Sequence, residues 1–188
     1  MLESIAGYLQ HNAGEIAVRF FDLLSQPFRH GDMVWIIIPV ILTIIVMECY
    51  YSRHSKEETG WNTATANSLV LIFISMDLFR FLSIRGELSF LQPNSYAFAA
   101  SLLVLIVLLE GIFMFVMDFS HLWPKFIAFH FTSHLTVNLI AYTSIVLIYG
   151  GILINLATII AAIIFFIIIN ILVFVLRFAY AHKRRIIA

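Results

Sequence analysis

The stretch "TIIAAIIFFIIIN", residues 158–170, carries a polar side chain at each end and none between them. It lies inside an apolar segment, 152–177, that exceeds the roughly 20 residues a helix needs to cross a hydrocarbon core of about 30 Å. The rest of the chain has the same character. Of its 188 residues, 62% are apolar and 12% charged, 18 are Phe, and the mean hydropathy is +0.98. Soluble domains sit near half apolar and about a quarter charged, so this composition belongs to a membrane protein.

Four more segments of spanning length precede that one, at about 33–51, 63–82, 96–118 and 126–148. Their boundaries carry recognisable signals. Ser55 and Glu58 have capping-box spacing, Asn62 or Thr63 can cap the second span, and Ser95 can cap the third after the turn "LQPNS". "LWPK" at 122–125 opens the fourth span, "YGG" at 149–151 forms a tight turn into the fifth, and Pro39 is a kink point within the first. The pattern predicts an all-α bundle of five transmembrane helices over residues 31–188.

Residues 1–30 read differently. Leu2, Ile5, Leu9, Ala13, Ile16, Phe20, Leu23 and Leu24 fall on roughly one third of a helical wheel, opposite Ser4, His11, Glu15, Arg19, Asp22 and Gln26. This predicts an amphipathic helix at the membrane interface. With Glu3, Glu15 and Asp22 against Arg19, its polar face offers little attraction to anionic lipid, so packing over the membrane domain or against a partner is the expectation.

Charge and cysteine usage narrow the function classes. A formal net charge of zero, with no basic cluster interleaved with aromatics, excludes an electrostatic case for nucleic-acid binding. The single Cys49 excludes an intrachain disulfide and a cysteine-rich zinc site. No basic segment followed by a continuous apolar run opens the chain as a cleaved signal peptide would. Lys and Arg at the span ends favour an outside N-terminus and a cytoplasmic C-terminus. The "HKRR" at 182–185 then shares its side with Arg53, Lys56, Lys125 and Arg177, and Arg19, Arg29 and Arg85 lie opposite. Trp35 falls at the outer interface on this scheme, Trp61 and Trp123 at the inner one.

Polar groups inside spans cost a few kcal/mol each on insertion scales, so each calls for a partner or a purpose. At about 1.5 Å per residue, Glu48, Asn67 and His130 lie about 7–8 Å inside the inner boundary, Asn170 about 10 Å, Glu110 about 12 Å and His134 about 13 Å. Every span thus contributes a polar group to one half of the membrane. In "HFTSHLTVN", residues 130–138, His130, His134 and Asn138 recur every fourth residue and predict one shared helical face. The short "LWP" turn makes the third and fourth spans antiparallel neighbours, and Glu110 is then expected to face His134.

Three roles fit this set. Glu110, His130 and His134, with Glu48, Asn67 and Asn138 around them, could bind or pass a cation or proton in a channel- or transporter-like protein. His130, His134 and Glu110 could instead hold a single transition-metal ion in an intramembrane enzyme. Or the groups could bond helices together in an accessory or scaffold subunit, within a homo-oligomer or a larger membrane complex. The segments "FIAFH" (126–130) and "HLTVN" (134–138) resemble two short motifs of the CAAX-processing intramembrane proteases. In that family the motifs sit on different helices and accompany E-E-x-x-x-R. Here they abut on one predicted helix and "EETGWN" (57–62) lacks the arginine, so no residue role is carried across. Asp77 and Arg80, at i and i+3 in the second span, are expected to pair with each other.

Overall fold

The computed structural model describes residues 2–53 and 60–187. Its elements in chain order are α1 (Leu2–His11), α2 (Ala13–Ser25), a 3-10 turn (Gln26–Phe28), α3 (Gly31–Arg53), α4 (Trp61–Ile84), α5 (Tyr96–Phe119), α6 (Lys125–Phe131), α7 (His134–Tyr149) and α8 (Leu156–Ile187). Five stretches are long and apolar enough to cross a membrane: Gly31–Tyr51, Trp61–Ile84, Tyr96–Phe119, Lys125–Tyr149 and Leu156–Ala179. The chain is an all-α, multi-pass membrane protein.

Local chemistry sets several of these boundaries. The Ser95 hydroxyl accepts the Phe98 N–H at 3.1 Å and caps α5, as its position before "YAF" predicts. Gly151, at φ +60°, takes the left-handed conformation that turns the chain from α7 into α8. α4 is capped two residues earlier than Asn62, the first of its candidate caps: Gly60 occupies the cap position, and Asn62 accepts the Thr63 N–H from inside the first turn. The predicted Ser55–Glu58 capping box lies outside the described residues.

Chain reversals place α3, α4, α5 and α7 up and down around one another, and α7 is the axis. Of its most apolar 18 residues, the Lys125–Tyr149 span buries 72%, against 11% to 33% for the other four spans. Leu139, Ile145 and Ile148 of α7 meet Met33, Ile37 and Val40 of α3 and Leu78 and Leu82 of α4. Val137 and Ala141 meet Leu71 of α4 and Val107 and Met114 of α5. Hydrocarbon tails are as apolar as these side chains, so close packing rather than dehydration holds such interfaces together. Gly111 allows the closest approach. A Cβ there would stand 3.0 Å from Leu71 Cβ and 3.1 Å from the Ile72 backbone nitrogen.

The amphipathic segment is two helices, not one. Asn12 (φ −104°, ψ 13°) leaves the helical region and folds its amide onto the Tyr8 carbonyl at 2.9 Å, and Pro27 ends α2 in a 3-10 turn. α2 packs on the bundle. Ile16 sits against Ala157 and Ala161, Phe20 meets the Phe165 ring edge-on, and the Tyr142 hydroxyl donates to the Leu23 carbonyl at 2.8 Å. The polar flank takes part as well, because Asn155 donates to Glu15 at 2.8 Å. Leu9 and Leu24, though on the predicted stripe, stay exposed, since only the middle of α2 reaches α8.

Substituting Gly111→Leu is expected to force α4 and α5 apart and to cost about 1–3 kcal/mol. Reversible unfolding in mixed micelles measures this, and an unchanged midpoint would contradict the contact.

Candidate functional site

The fourth span does not run as one helix. α6 ends at Phe131, Thr132 and Ser133 leave helical geometry, and α7 starts at His134. Ser133 causes the restart: its hydroxyl accepts the Thr136 N–H at 3.2 Å, an N-cap with the usual spacing. A break inside a membrane exposes backbone groups that lipid cannot satisfy. Here neighbours do so. Asn67 of α4 donates to the Thr132 carbonyl at 2.7 Å, and the Thr136 hydroxyl reaches the His130 carbonyl at 3.3 Å. The break also corrects the expected shared face. His130 is exposed and stacks on Phe126, whereas His134 is buried on the far side of the interruption.

His134 enters a cluster built from three helices. Its Nε2 lies 2.8 Å from Glu48 Oε1 near the end of α3. A carboxylate accepts only, so Nε2–H is the donor and the imidazole's other nitrogen is the one open to a proton. Arg177 of α8 grips the same carboxylate with two bonds, Nε to Oε2 at 2.7 Å and Nη2 to Oε1 at 2.8 Å. Tyr51, one turn beyond Glu48, stacks on the imidazole at 5.1 Å with planes 16° apart. Side-chain exposure falls from 46% at Arg177 through 16% at Glu48 to 6% at His134, so the cluster runs from the bundle's surface to its interior.

The remaining predicted residues disperse. Glu110 does not meet His134, whose carboxylate partner is Glu48; among the described residues Glu110 forms no hydrogen bond or ion pair, and it is half-buried on α5. Asn138, though buried, turns its amide back onto the His134 carbonyl at 2.7 Å along its own helix. Asn170 does the same on α8, to Phe166 at 2.8 Å. Glu110, His130 and His134 therefore do not converge on one point, and no group of three or more His, Cys, Asp or Glu side chains stands ready to ligate a metal among the described residues.

Two further polar clusters complete the bundle. Asp118 is fully buried, with Trp123 Nε1–H donating to Oδ1 at 2.8 Å and the Ser68 hydroxyl 3.0 Å from Oδ2. That hydroxyl is also 3.0 Å from the Ala64 carbonyl, and its single proton serves one of the two at a time. At the opposite end, Asp77 pairs with Arg80 as the i, i+3 spacing predicts (2.6 Å), and gains the Tyr149 hydroxyl at 2.8 Å. Arg177 and Tyr51 are the participants in the Glu48 cluster that spacing alone misses. Arg177 reads from sequence as a boundary charge, and only its place on the Glu48 side of the bundle hints at a pair.

In a double-mutant cycle, Glu48→Gln and Arg177→Gln are expected to couple by about 1 kcal/mol, at the upper part of the range for polar contacts in membranes. Additive effects in mixed-micelle unfolding would show the pair to be energetically idle. Asn67→Leu is expected to destabilise by about 1–3 kcal/mol because it strands the Thr132 carbonyl, which the same measurement reads. Compared with known proteins, the chain matches no family model, no curated protein and no solved structure.

Proposed function

We propose that this membrane protein binds a proton at the Glu48–His134–Arg177 cluster and passes it along the bundle. The observation that carries this is a buried imidazole bonded at 2.8 Å to a carboxylate that a guanidinium already holds. A metal cation would have to displace Arg177 to reach Glu48, whereas a proton needs only the open ring nitrogen of His134. Imidazole is the side chain that takes up and releases protons near neutral pH.

The formal charges of the cluster sum to zero while the imidazole is neutral and to +1 once it is protonated. In a low-dielectric setting that added charge repels the guanidinium that shares Glu48. Uptake at His134 thereby loosens the tie between α3 and α8, and release restores it. The Lys and Arg distribution favours this end of the bundle being cytoplasmic, with the N-terminus outside.

A second role, as an accessory subunit of a larger membrane complex, is favoured by the complete pairing of Glu48 within the chain, which binds helices without leaving a carboxylate open. Proteoliposomes loaded with a pH-sensitive dye separate the two. Under an imposed pH gradient and potential, the wild type is expected to carry protons and His134→Leu to fall to the rate of protein-free vesicles. Wild-type flux no faster than protein-free vesicles would remove the proton role and leave the subunit role.

A further inference from the structure

Among the described residues, the span carboxylates other than Asp32 in the first turn of α3 have donors, with a single exception. Glu48 has His134 and Arg177, Asp77 has Arg80 and Tyr149, and Asp118 has Trp123 and Ser68. Glu110 has none among the described residues, although it sits deep in α5. Nine residues separate it from Phe119 and 14 from Tyr96, or about 14 Å and 21 Å along the helix.

Glu110 is half-buried at the edge of the outward face of α5, with Val107 and Met114 buried on its inner side. Its neighbours one turn and one residue away, Ile106, Leu109 and Phe113, are 52%, 55% and 55% exposed. Lipid tails offer no donor there, and headgroups lie about 14 Å off. Among the described residues, the arginines at membrane depth and the buried imidazole are engaged elsewhere, Arg177 and His134 on Glu48 and Arg80 on Asp77, and the amides of Asn67, Asn138 and Asn170 each give one of their two N–H groups to a backbone carbonyl. A second copy would therefore bring another unmet carboxylate to the same depth. Its exposed imidazole, His130, stands about 8 Å from the Lys125 end of the span, about one turn shallower than Glu110.

From this charge complementarity we infer that the Glu110 face of α5 docks a transmembrane helix of a different polypeptide, through a Lys or Arg at the matching depth. The basic side chain supplies the missing donor and neutralises the carboxylate. Ile106, Leu109 and Phe113 supply the apolar rim that excludes lipid around the pair. The site is separate from the Glu48 cluster and does not depend on proton passage.

The test uses two single-span Leu/Ala peptides, one with a central Lys and one with Leu in its place. Energy transfer between each labelled peptide and the full-length chain is measured in phosphatidylcholine vesicles. The Lys peptide is expected to associate about 10-fold more strongly than the Leu peptide. That preference should vanish in Glu110→Leu and persist in reduced form in Glu110→Gln, whose amide oxygen still accepts. Equal association of the two peptides with the wild type would overturn the inference without any variant having to fold. So would a Lys preference that survives Glu110→Leu. Self-association of the wild type that Glu110→Leu abolishes, with no preference for Lys, would overturn it in favour of a second copy.

Discussion

A carbonyl or carboxylate within a bilayer has no water to bond, and this constraint organises the molecule more than any propensity does. Its clearest expression is the contact between Asn67 and Thr132. The fourth span breaks at Thr132–Ser133, which frees a backbone carbonyl at membrane depth, and an amide on a different helix meets it at 2.7 Å. Ser133 and Thr136 satisfy the groups around it. The break is tolerated because α4 stands there to cover it, and it re-aims the chain so that His134 points inward.

From that redirection follows the position of α7 as the axis of the bundle. Nearly all of it is buried, and it touches α3, α4 and α5 through Leu, Ile, Val and Ala side chains. A helix surrounded by protein can hold an imidazole and an amide that a lipid-facing helix could not hold without further partners. α8 is the reverse case. Its apolar surface faces outward over most of its described length, so its polar attachments matter: Asn155 to α2 just before its start and Arg177 to α3 farther along. The Glu48 cluster is thus at once the candidate proton site and a tie between peripheral and central helices. His134 therefore shares its carboxylate partner with the tie between α3 and α8.

Much of this was written in the sequence. The five spans are visible because length and apolarity are local properties that every residue of a span carries, and Ser95 and the 150–151 glycines announce their turns for the same reason. The Asp77–Arg80 pair is an i, i+3 relation within one helix and needs no tertiary knowledge. Depth was legible too, since a fixed rise per residue places Glu48, His134 and Arg177 toward the same end. Legibility failed where a position depends on what lies beside it. A four-residue repeat predicts a common face for His130, His134 and Asn138 only if the helix is continuous, and Ser133 stops it.

The sequence by itself determined an all-α, multi-pass membrane protein, because hydropathy is additive along the chain. Tertiary structure alone decided which of those groups meet. Glu48 and Arg177 are 129 residues apart and Glu48 and His134 are 86 apart, and no periodicity links such positions. Their pairing depends on the rotation and order of helices around α7. That order is fixed by side-chain packing, of which the close fit of Gly111 against Leu71 and Ile72 is one part. The same packing left Glu110 without a hydrogen-bond or ion-pair partner among the described residues.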